Sequence, residues 1–336
     1  MKKFNVGLQL YSVRNTMAED FEGTLKAVRD MGYEYVEFAG YYDKSSDEIK
    51  EVLDRLGLKC ISVHQRLEFF DDDPIGKINY LKNFGVKYVV VPWHDKDKLA
   101  GGSGWQATVE KFTKYAKLFL EHGMMLGYHN HDFEFETFEG KYLHDYLFEV
   151  IGKDIMVPEF DTCWVRYAGL QPEDKIREYK GLVDIVHLKD FTCKAFCGGP
   201  VYALINTDGK DGGKKPTKEE NGFEFRPVGM GVQNFEAILE ACEESGTEIV
   251  IVEQDKTALG MSELESARAS REYLKNTFGI GETVTGAIMA ADNVFALFLL
   301  PLFGTFSDKV TTPFGKRMLF VVIGTLLASA LLIALG

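Results

Sequence analysis

Cysteine is scarce in this chain. Five thiols, Cys60, Cys163, Cys193, Cys197 and Cys242, are spread over 336 residues. That is too few, and too irregularly spaced, for the disulfide framework of a secreted scaffold or for the paired clusters of a zinc ribbon. Cys193 and Cys197 stand four apart in a Gly-rich stretch with no second Cys or His pair beside them, so they read as reduced thiols. Basic charge is in deficit as well: 38 Lys and Arg face 51 Asp and Glu, a net charge of −13. In residues 281–336 Glu282, Asp292 and Asp308 balance Lys309, Lys316 and Arg317, so the whole acidic excess lies in residues 1–280. Phosphate backbones need clustered Lys and Arg, and nucleic acid is therefore not an expected partner. No Gly-rich phosphate loop stands out either. The opening MKKFNVGLQLYSVR has two lysines but no sustained apolar stretch, because Asn5 and Gln9 interrupt it. It does not read as a secretory signal, and residues 1–280 are expected in the cytoplasm.

What the chain does have is a rhythm. The runs FNVGLQL, YEYVEF, LKCISVH, VKYVVVPW, MMLGYH, DIMVPEFD, LVDIVHL and TEIVIVE recur between amphipathic stretches such as DFEGTLKAVRDMG, SSDEIKEVLDRLG, WQATVEKFTKYAKLFLEHG and VQNFEAILEACEESG. Continuous Val and Ile, rather than polar alternation, mark strands buried on both faces, as in a parallel sheet. The glycines that close the helical stretches suit left-handed C-caps. Eight strands alternating with helices predict an α/β fold, a closed (β/α)8 TIM barrel over residues 1–280, the usual size being about 250–280 residues. A hydrophobic content of 46% with 26% charged residues is ample for its core.

Two stretches break the rhythm. Residues 191–225 are a Gly-, Lys- and Thr-rich insertion after the seventh run; loops of that length commonly serve as lids or binding loops, and this one is read as a cover for the site. Beyond residue 280, TVTGAIMAADNVFALFLLPLFGTF carries one charge, Asp292, and MLFVVIGTLLASALLIAL carries none. Each is long enough to cross a bilayer as a helix, so residues 281–336 read as a two-helix transmembrane-like hairpin. Its polar loop holds Lys309, Lys316 and Arg317, which places the loop in the cytoplasm and residues 1–280 outside, against the cytoplasmic expectation. The tail is therefore read as a fused fragment, with membrane association through residues 284–336 as the rival reading.

The chemistry-bearing residues sit at strand ends. His129, Asp161, His187 and Glu253 close four successive runs, and in a β/α barrel the C-terminal strand ends converge on one mouth. Two imidazoles and two carboxylates suit a divalent ion, Mn²⁺ first, with Co²⁺, Mg²⁺ or Zn²⁺ next. His131 and Glu134 share the GYHNHDFEF cluster with His129, and Glu159 alternates with Asp161 on one side of EFDTCW. Lys189, in VHLKD, is placed to meet an anionic substrate oxygen or to pair with Asp190. Glu253 follows the apolar IVIV, where a buried carboxylate needs a charged partner. Such an ion polarises a carbonyl and the adjacent hydroxyl, and Glu253 moves the proton between them through an ene-diolate.

The motifs GLQLYSVR, YEYVEFAG, GYHNHDFEF, EFDTCWV, IVHLKD, FRPVGMGV and VEQD resemble the sugar phosphate isomerase/epimerase proteins of the xylose-isomerase-like barrel superfamily, over roughly residues 3–277. The resemblance implies a divalent metal, with Asp161, His187 and Glu253 at ligand positions, and a sugar or keto-sugar substrate. Many relatives carry a glutamate of an ENH-like motif where this chain has His129. That departure bears on two-base epimerisation and leaves one-base isomerisation or β-elimination, as in inosose dehydratases and keto-glycoside lyases. The catalytic candidates are Glu253, His129 and Lys189; the substrate-contact candidates are Gln9, His64, His131, Glu134, Lys189 and Arg226. An apurinic endonuclease and a non-catalytic binding barrel are the remaining alternatives, and homo-oligomerisation is left open. In the tail, GTFSDKVTTPFGKR and DNVFALFLLPLFG resemble major facilitator sugar/cation symporters, of whose roughly twelve helices only two are present.

Overall fold

The computed structural model describes residues 4–194 and 217–280. The eight expected strands are all there: β1 (Asn5–Gln9), β2 (Tyr35–Phe38), β3 (Lys59–His64), β4 (Tyr88–Val91), β5 (Met125–His129), β6 (Met156–Asp161), β7 (Ile185–Leu188) and β8 (Ile249–Val252). They close into one barrel with every neighbouring pair parallel, β1 meeting β8 through Gly7 against Ile251. Helices wrap the outside. α1 (Phe21–Asp30), α2 (Ser46–Leu56), α3 (Pro74–Asn83), α4 (Trp105–Glu121), α5 (Leu143–Ile151), α6 (Pro172–Glu178), α7 (Phe235–Ser245) and α8 (Glu263–Phe278) each follow a strand. Their ends are written in the sequence: Ser45 with Glu48 and Ser262 with Glu265 form capping boxes at the starts of α2 and α8, satisfying backbone donors that would otherwise be unpaired. Both helices end on a left-handed glycine, Gly57 at φ 66° and Gly279 at φ 63°.

Side chains alternate along a strand, so each strand gives one set to the helices and one to the barrel interior. The outward set, including Leu8, Val36, Val63, Val89, Leu126 and Val250, forms the main core against the helices. The inward set divides by height. Low in the barrel, Ile61, Ile185, Ile249 and Ile251 pack with Tyr35 and Tyr88 into an apolar plug. Two residues further along their strands stand Glu37, His187 and Glu253, so the polar layer lies above the plug at the C-terminal mouth. Gly127 makes room there, since a Cβ on it would fall 2.9 Å from Val90 Cγ2.

One strand departs from strict alternation. The β2–β3 register shifts between Val36 and Glu37, whose partners are Cys60 and Ser62. The extra residue is a bulge, a device that re-aims side chains beside functional sites. It lets Ile61 join the plug and His64, three residues later, face the same interior. Contacts divide the chain into Met1–Gly281 and Glu282–Gly336. The described residues belong to the first unit, and the hairpin expected at 281–336 lies outside them. Among the described residues no helix is long and apolar enough to cross a membrane.

Candidate metal centre at the barrel mouth

The strand ends are clipped to one another by the small polar residues of the motifs. Asn130 Oδ1 accepts the Asp161 backbone N–H at 3.1 Å, and its Nδ2 donates to the Asp161 carbonyl at 3.4 Å, tying β5 to β6. Thr162 Oγ1 donates to the His187 carbonyl at 2.9 Å and accepts from the Lys189 backbone N–H at 3.1 Å, tying β6 to β7. Asp161 itself caps the short helix Thr162–Tyr167: its Oδ1 accepts from the backbone of Cys163 at 2.8 Å and Trp164 at 3.2 Å. The other oxygen, Oδ2, is buried and accepts no hydrogen bond. His129 Nε2 stands 3.5 Å from it and the Lys189 ammonium 3.2 Å. The ammonium makes an ion pair there without hydrogen-bond alignment.

His129, Asp161, His187 and Glu253 thus converge, their donor atoms all lying within 4.8 Å of one another. All four are buried. Two imidazole nitrogens and two carboxylate oxygens, one of them with no hydrogen bond, fit a hard or borderline divalent ion. Glu253 Oε2 meets both His187 Nδ1 and Lys189 Nζ at 3.0 Å. Lys189, 1% exposed, also reaches Asp255 Oδ1 at 2.8 Å. Burial alone would drive its proton off, but Asp161, Asp255 and Glu253 overcome that and hold the ammonium well above its ordinary range. Burial also opposes the charge on Glu253, yet the Lys189 cation and His187 keep this carboxyl well below the usual range. Burial pushes Asp161 up and lowers His129 to about 4.

A second layer of polar groups lies beneath. His64 Nε2 meets Glu159 Oε2 at 2.7 Å, His129 Nδ1 meets the same oxygen at 3.0 Å, and His187 Nε2 meets Glu37 Oε2 at 2.6 Å. His64, His129, Glu159 and His187 form a second group whose donor atoms lie within 4.8 Å of one another. Glu37 and Asp255 were not singled out from the sequence. The signal for Glu37 was available, since it alternates with Tyr35 in an otherwise apolar run, as Glu253 does with Ile251. Asp255 repeats the spacing once more beyond the strand end.

The site opens into a cavity of ≈ 800 Å³ lined by His64, His129, His131 and Lys189, with Trp93 and Trp164 among its walls. His131 stacks between Phe133 and Trp164, and its Nδ1 is buried without a partner. Lys218 lies 3.9 Å over the Trp164 ring and, with Phe223 and Phe225, also lines the cavity. The described ends of the long insertion therefore do reach the mouth; its residues 195–216 lie outside the described ones. Gln9 is fully buried in register with Glu37; its Oε1 accepts the Tyr11 backbone N–H at 3.0 Å and its Nε2 is buried without a partner. Two sequence-derived candidates are turned elsewhere. Arg226 pairs with Glu224 at 2.7 Å. Glu134 folds back beneath the turn that carries His131, accepting from the Tyr128 hydroxyl and the His131 backbone N–H, both at 2.9 Å.

Burial pushes the Glu134 carboxyl up to about 8, whereas an unfolded glutamate titrates near about 4.3. Between those values the folded chain holds one proton more than the unfolded chain. Stability contributed by this group therefore falls as pH rises through that window. Glu134→Gln, which cannot ionise, should flatten the decline by up to about 1.4 kcal/mol per pH unit. Urea unfolding of both proteins between about pH 5 and 8 measures it, and parallel slopes would show that Glu134 does not titrate this way.

Asp190 does not pair with Lys189. Its carboxylate accepts four backbone N–H groups: Phe191 and Gln233 on Oδ1 at 2.9 and 3.2 Å, and Gly229 and Gly231 on Oδ2 at 3.0 and 2.8 Å. This accounts for the second glycine of FRPVGMGV, whereas the first, Gly229, has a φ of 89° and packs against the Tyr273 ring. A Cβ at Gly231 would fall 2.2 Å from Asp190 Oδ1 and 2.3 Å from the Phe191 carbonyl. The clamp holds the hairpin of Asp190–Thr192 with Glu224–Arg226, which carries Phe225 to the cavity. Asp190→Ala should cost about 3 kcal/mol, because buried donors lose their acceptor. Chemical denaturation checks this, and a loss below about 1 kcal/mol would mean that water replaces the carboxylate.

Together the closed barrel and the imidazole–carboxylate cluster at its mouth define a β/α barrel protein with a buried group of side chains that could hold a metal ion. The chain belongs to the Xylose isomerase-like TIM barrel family, whose profile matches residues 25–277. The match ends before the tail and gives no support to the transporter resemblance of residues 284–336. No curated protein matches. Among solved structures, a sugar phosphate isomerase/epimerase from Parabacteroides distasonis ATCC 8503 is similar with TM-score 0.64 and 19% identity, over 83% of this chain and 96% of that one. IolI, crystallised with a zinc atom, is similar with TM-score 0.58 and 16% identity, over 81% and 97%. The probable 3-DHS dehydratase AsbF of Bacillus anthracis is similar with TM-score 0.57 and 13% identity, over 82% and 99%. At these identities the likeness concerns the fold.

Proposed function

We propose that this chain is a divalent-metal-dependent sugar isomerase or epimerase that moves a proton next to a carbonyl. The observation that carries the proposal is the convergence of His129, Asp161, His187 and Glu253 on one point at the mouth of the barrel. These four residues would hold the ion, with Mn²⁺ as our first choice, and it would supply the polarisation that acidifies a C–H beside a carbonyl. The chain's own groups do the rest. Lys189 Nζ engages Glu253 Oε2 at 3.0 Å, which leaves Oε1 to take the substrate proton. Lys189 is held as a cation on the cavity wall by three carboxylates, where it stabilises negative charge developing on a substrate oxygen. The unpartnered Nδ1 of His131 offers a hydrogen bond to a substrate hydroxyl. Trp93 and Trp164 give apolar faces for the C–H side of a sugar ring.

A specific observation also favours a second reading, a dehydratase or lyase that uses the same proton abstraction on a keto-sugar or inosose. At the end of β5 stands His129, an imidazole held neutral by burial, and Glu134 is turned beneath the mouth, away from the cavity. A second carboxylate base is thus missing from that strand end, and β-elimination needs only one. The test is incubation of the Mn²⁺-loaded chain with ketoses and keto-sugars in D₂O, following C–H exchange by NMR. Ion-dependent exchange next to the carbonyl supports the proposal, and product analysis then separates isomer from eliminated product. A protein that carries the ion and exchanges no C–H in any sugar would overturn it.

A further inference from the structure

The two imidazoles of the centre each face two ways. His187 Nδ1 points to Glu253, at 3.0 Å, and its Nε2 to Glu37, at 2.6 Å. His129 Nε2 points to Asp161, at 3.5 Å, and its Nδ1 to Glu159, at 3.0 Å. In both rings the mouth-side nitrogen belongs to the group that would hold the ion, and the other nitrogen meets a carboxylate of the layer beneath. We infer that Glu37 and Glu159 are positioning residues that fix the tautomer and the ring plane of His187 and His129, so that His187 Nδ1 and His129 Nε2 present lone pairs to the ion.

The reasons are geometric. Glu37 is 0% exposed and Glu159 2%, so neither carboxylate meets solvent. A buried carboxylate is retained at a cost unless it accepts hydrogen bonds from charged or polar partners, and the partners here are the imidazoles themselves. Glu159 Oε2 also accepts from His64 at 2.7 Å and lies 3.2 Å from His187 Nε2. His64, aimed inward by the bulge in β3, thereby shares the same Glu159 oxygen with His129, the two rings lying edge to face at 4.9 Å. Glu37 comes from β2, a strand that supplies nothing to the ion-holding group. A neutral imidazole has one donor nitrogen and one acceptor nitrogen. Committing the N–H to the floor leaves only the mouth-side nitrogen to coordinate, and outer partners of this kind change metal affinity by about 10–100-fold when removed.

This inference rests on the metal centre proposed above, and its test separates the two. Zn²⁺ affinity is measured by competition with a chromogenic chelator for the full-length chain and for Glu37→Ala and Glu37→Gln. Glu37→Ala should bind Zn²⁺ about 10–100-fold more weakly. Glu37→Gln keeps an oxygen acceptor in place and should stay close to the parent. A purely structural contribution of Glu37 would lower the melting temperature of the ion-free protein and leave affinity in the folded fraction unchanged, which overturns the inference. The Zn²⁺-loaded parent gives a reading that needs no variant. Its ¹⁵N imidazole spectrum should show His187 metallated at Nδ1 and His129 at Nε2, with the opposite nitrogens protonated. The reverse pattern, or two ions per chain with the floor itself as ligand, also overturns it. A parent chain that binds no Zn²⁺ overturns the metal centre and this inference together, whereas a parent that binds and a Glu37→Ala that binds equally well overturns the inference alone.

Discussion

Glu253→Gln should lose metal-dependent C–H exchange by about 10²–10⁴-fold, the contribution of a positioned acid–base group, and still fold. Exchange falls because an amide of the same size cannot accept the proton. The fold survives because the partners of Glu253 have others. Removing one side of a buried ion pair costs about 3–5 kcal/mol when the remaining charge is stranded, but Lys189 keeps Asp161 at 3.2 Å and Asp255 at 2.8 Å. His187 keeps Glu37 at 2.6 Å. The glutamine oxygen remains a donor to a hard cation, so the comparison is made at saturating Mn²⁺ with ion content measured on the same samples. Exchange at the parental rate in a variant that carries the ion would remove Glu253 from the reaction.

Much of this architecture was legible because it rests on patterns that local physics enforces. Runs such as IVIV and YVVV can be buried on both faces only in a sheet covered by helices, and the eight runs are the eight strands of the barrel. The convergence of His129, Asp161, His187 and Glu253 follows from their standing at strand ends, since topology alone brings those ends together. What was not legible depends on rotation and on local competition for hydrogen bonds. Ile61 and His64 share the interior only because of a bulge that LKCISVH does not announce. Glu134 is captured by the Tyr128 hydroxyl and the His131 backbone N–H. Arg226 is paired with its neighbour Glu224 on the hairpin. Glu37 alternates with Tyr35 inside a short apolar strand, but it lacks the strand-end position that flagged Glu253.

Asp161→Ala and Asp161→Asn should divide one residue into its two functions. In the alanine variant the backbone N–H groups of Cys163 and Trp164, 2.8 and 3.2 Å from Oδ1, lose their acceptor. The short helix after β6 then loses its cap, at about 0.5–2 kcal/mol, and the ion loses a ligand. Asparagine is as good a capping residue as aspartate, so Asp161→Asn keeps the Oδ1 bonds and replaces only Oδ2, the buried atom without a hydrogen bond, by an NH₂ that cannot coordinate. Ion affinity should fall in both variants, and by more than the about 10–100-fold expected for a residue that merely orients a ligand. Cap stability should fall only in the alanine variant. Ion competition and chemical denaturation, run on both proteins, read the two losses separately. Asparagine that binds the ion like the parent would mean that Oδ2 is not a ligand, and that the buried charge of Asp161 exists for Lys189. The reverse outcome would assign the ammonium a different purpose. At 3.2 Å from Asp161 Oδ2 and 3.0 Å from Glu253 Oε2, Lys189 is the cation that compensates these carboxylates before an ion arrives. Binding should then shift the ammonium towards Asp255, and ion affinity should rise when Lys189→Met removes the competing charge.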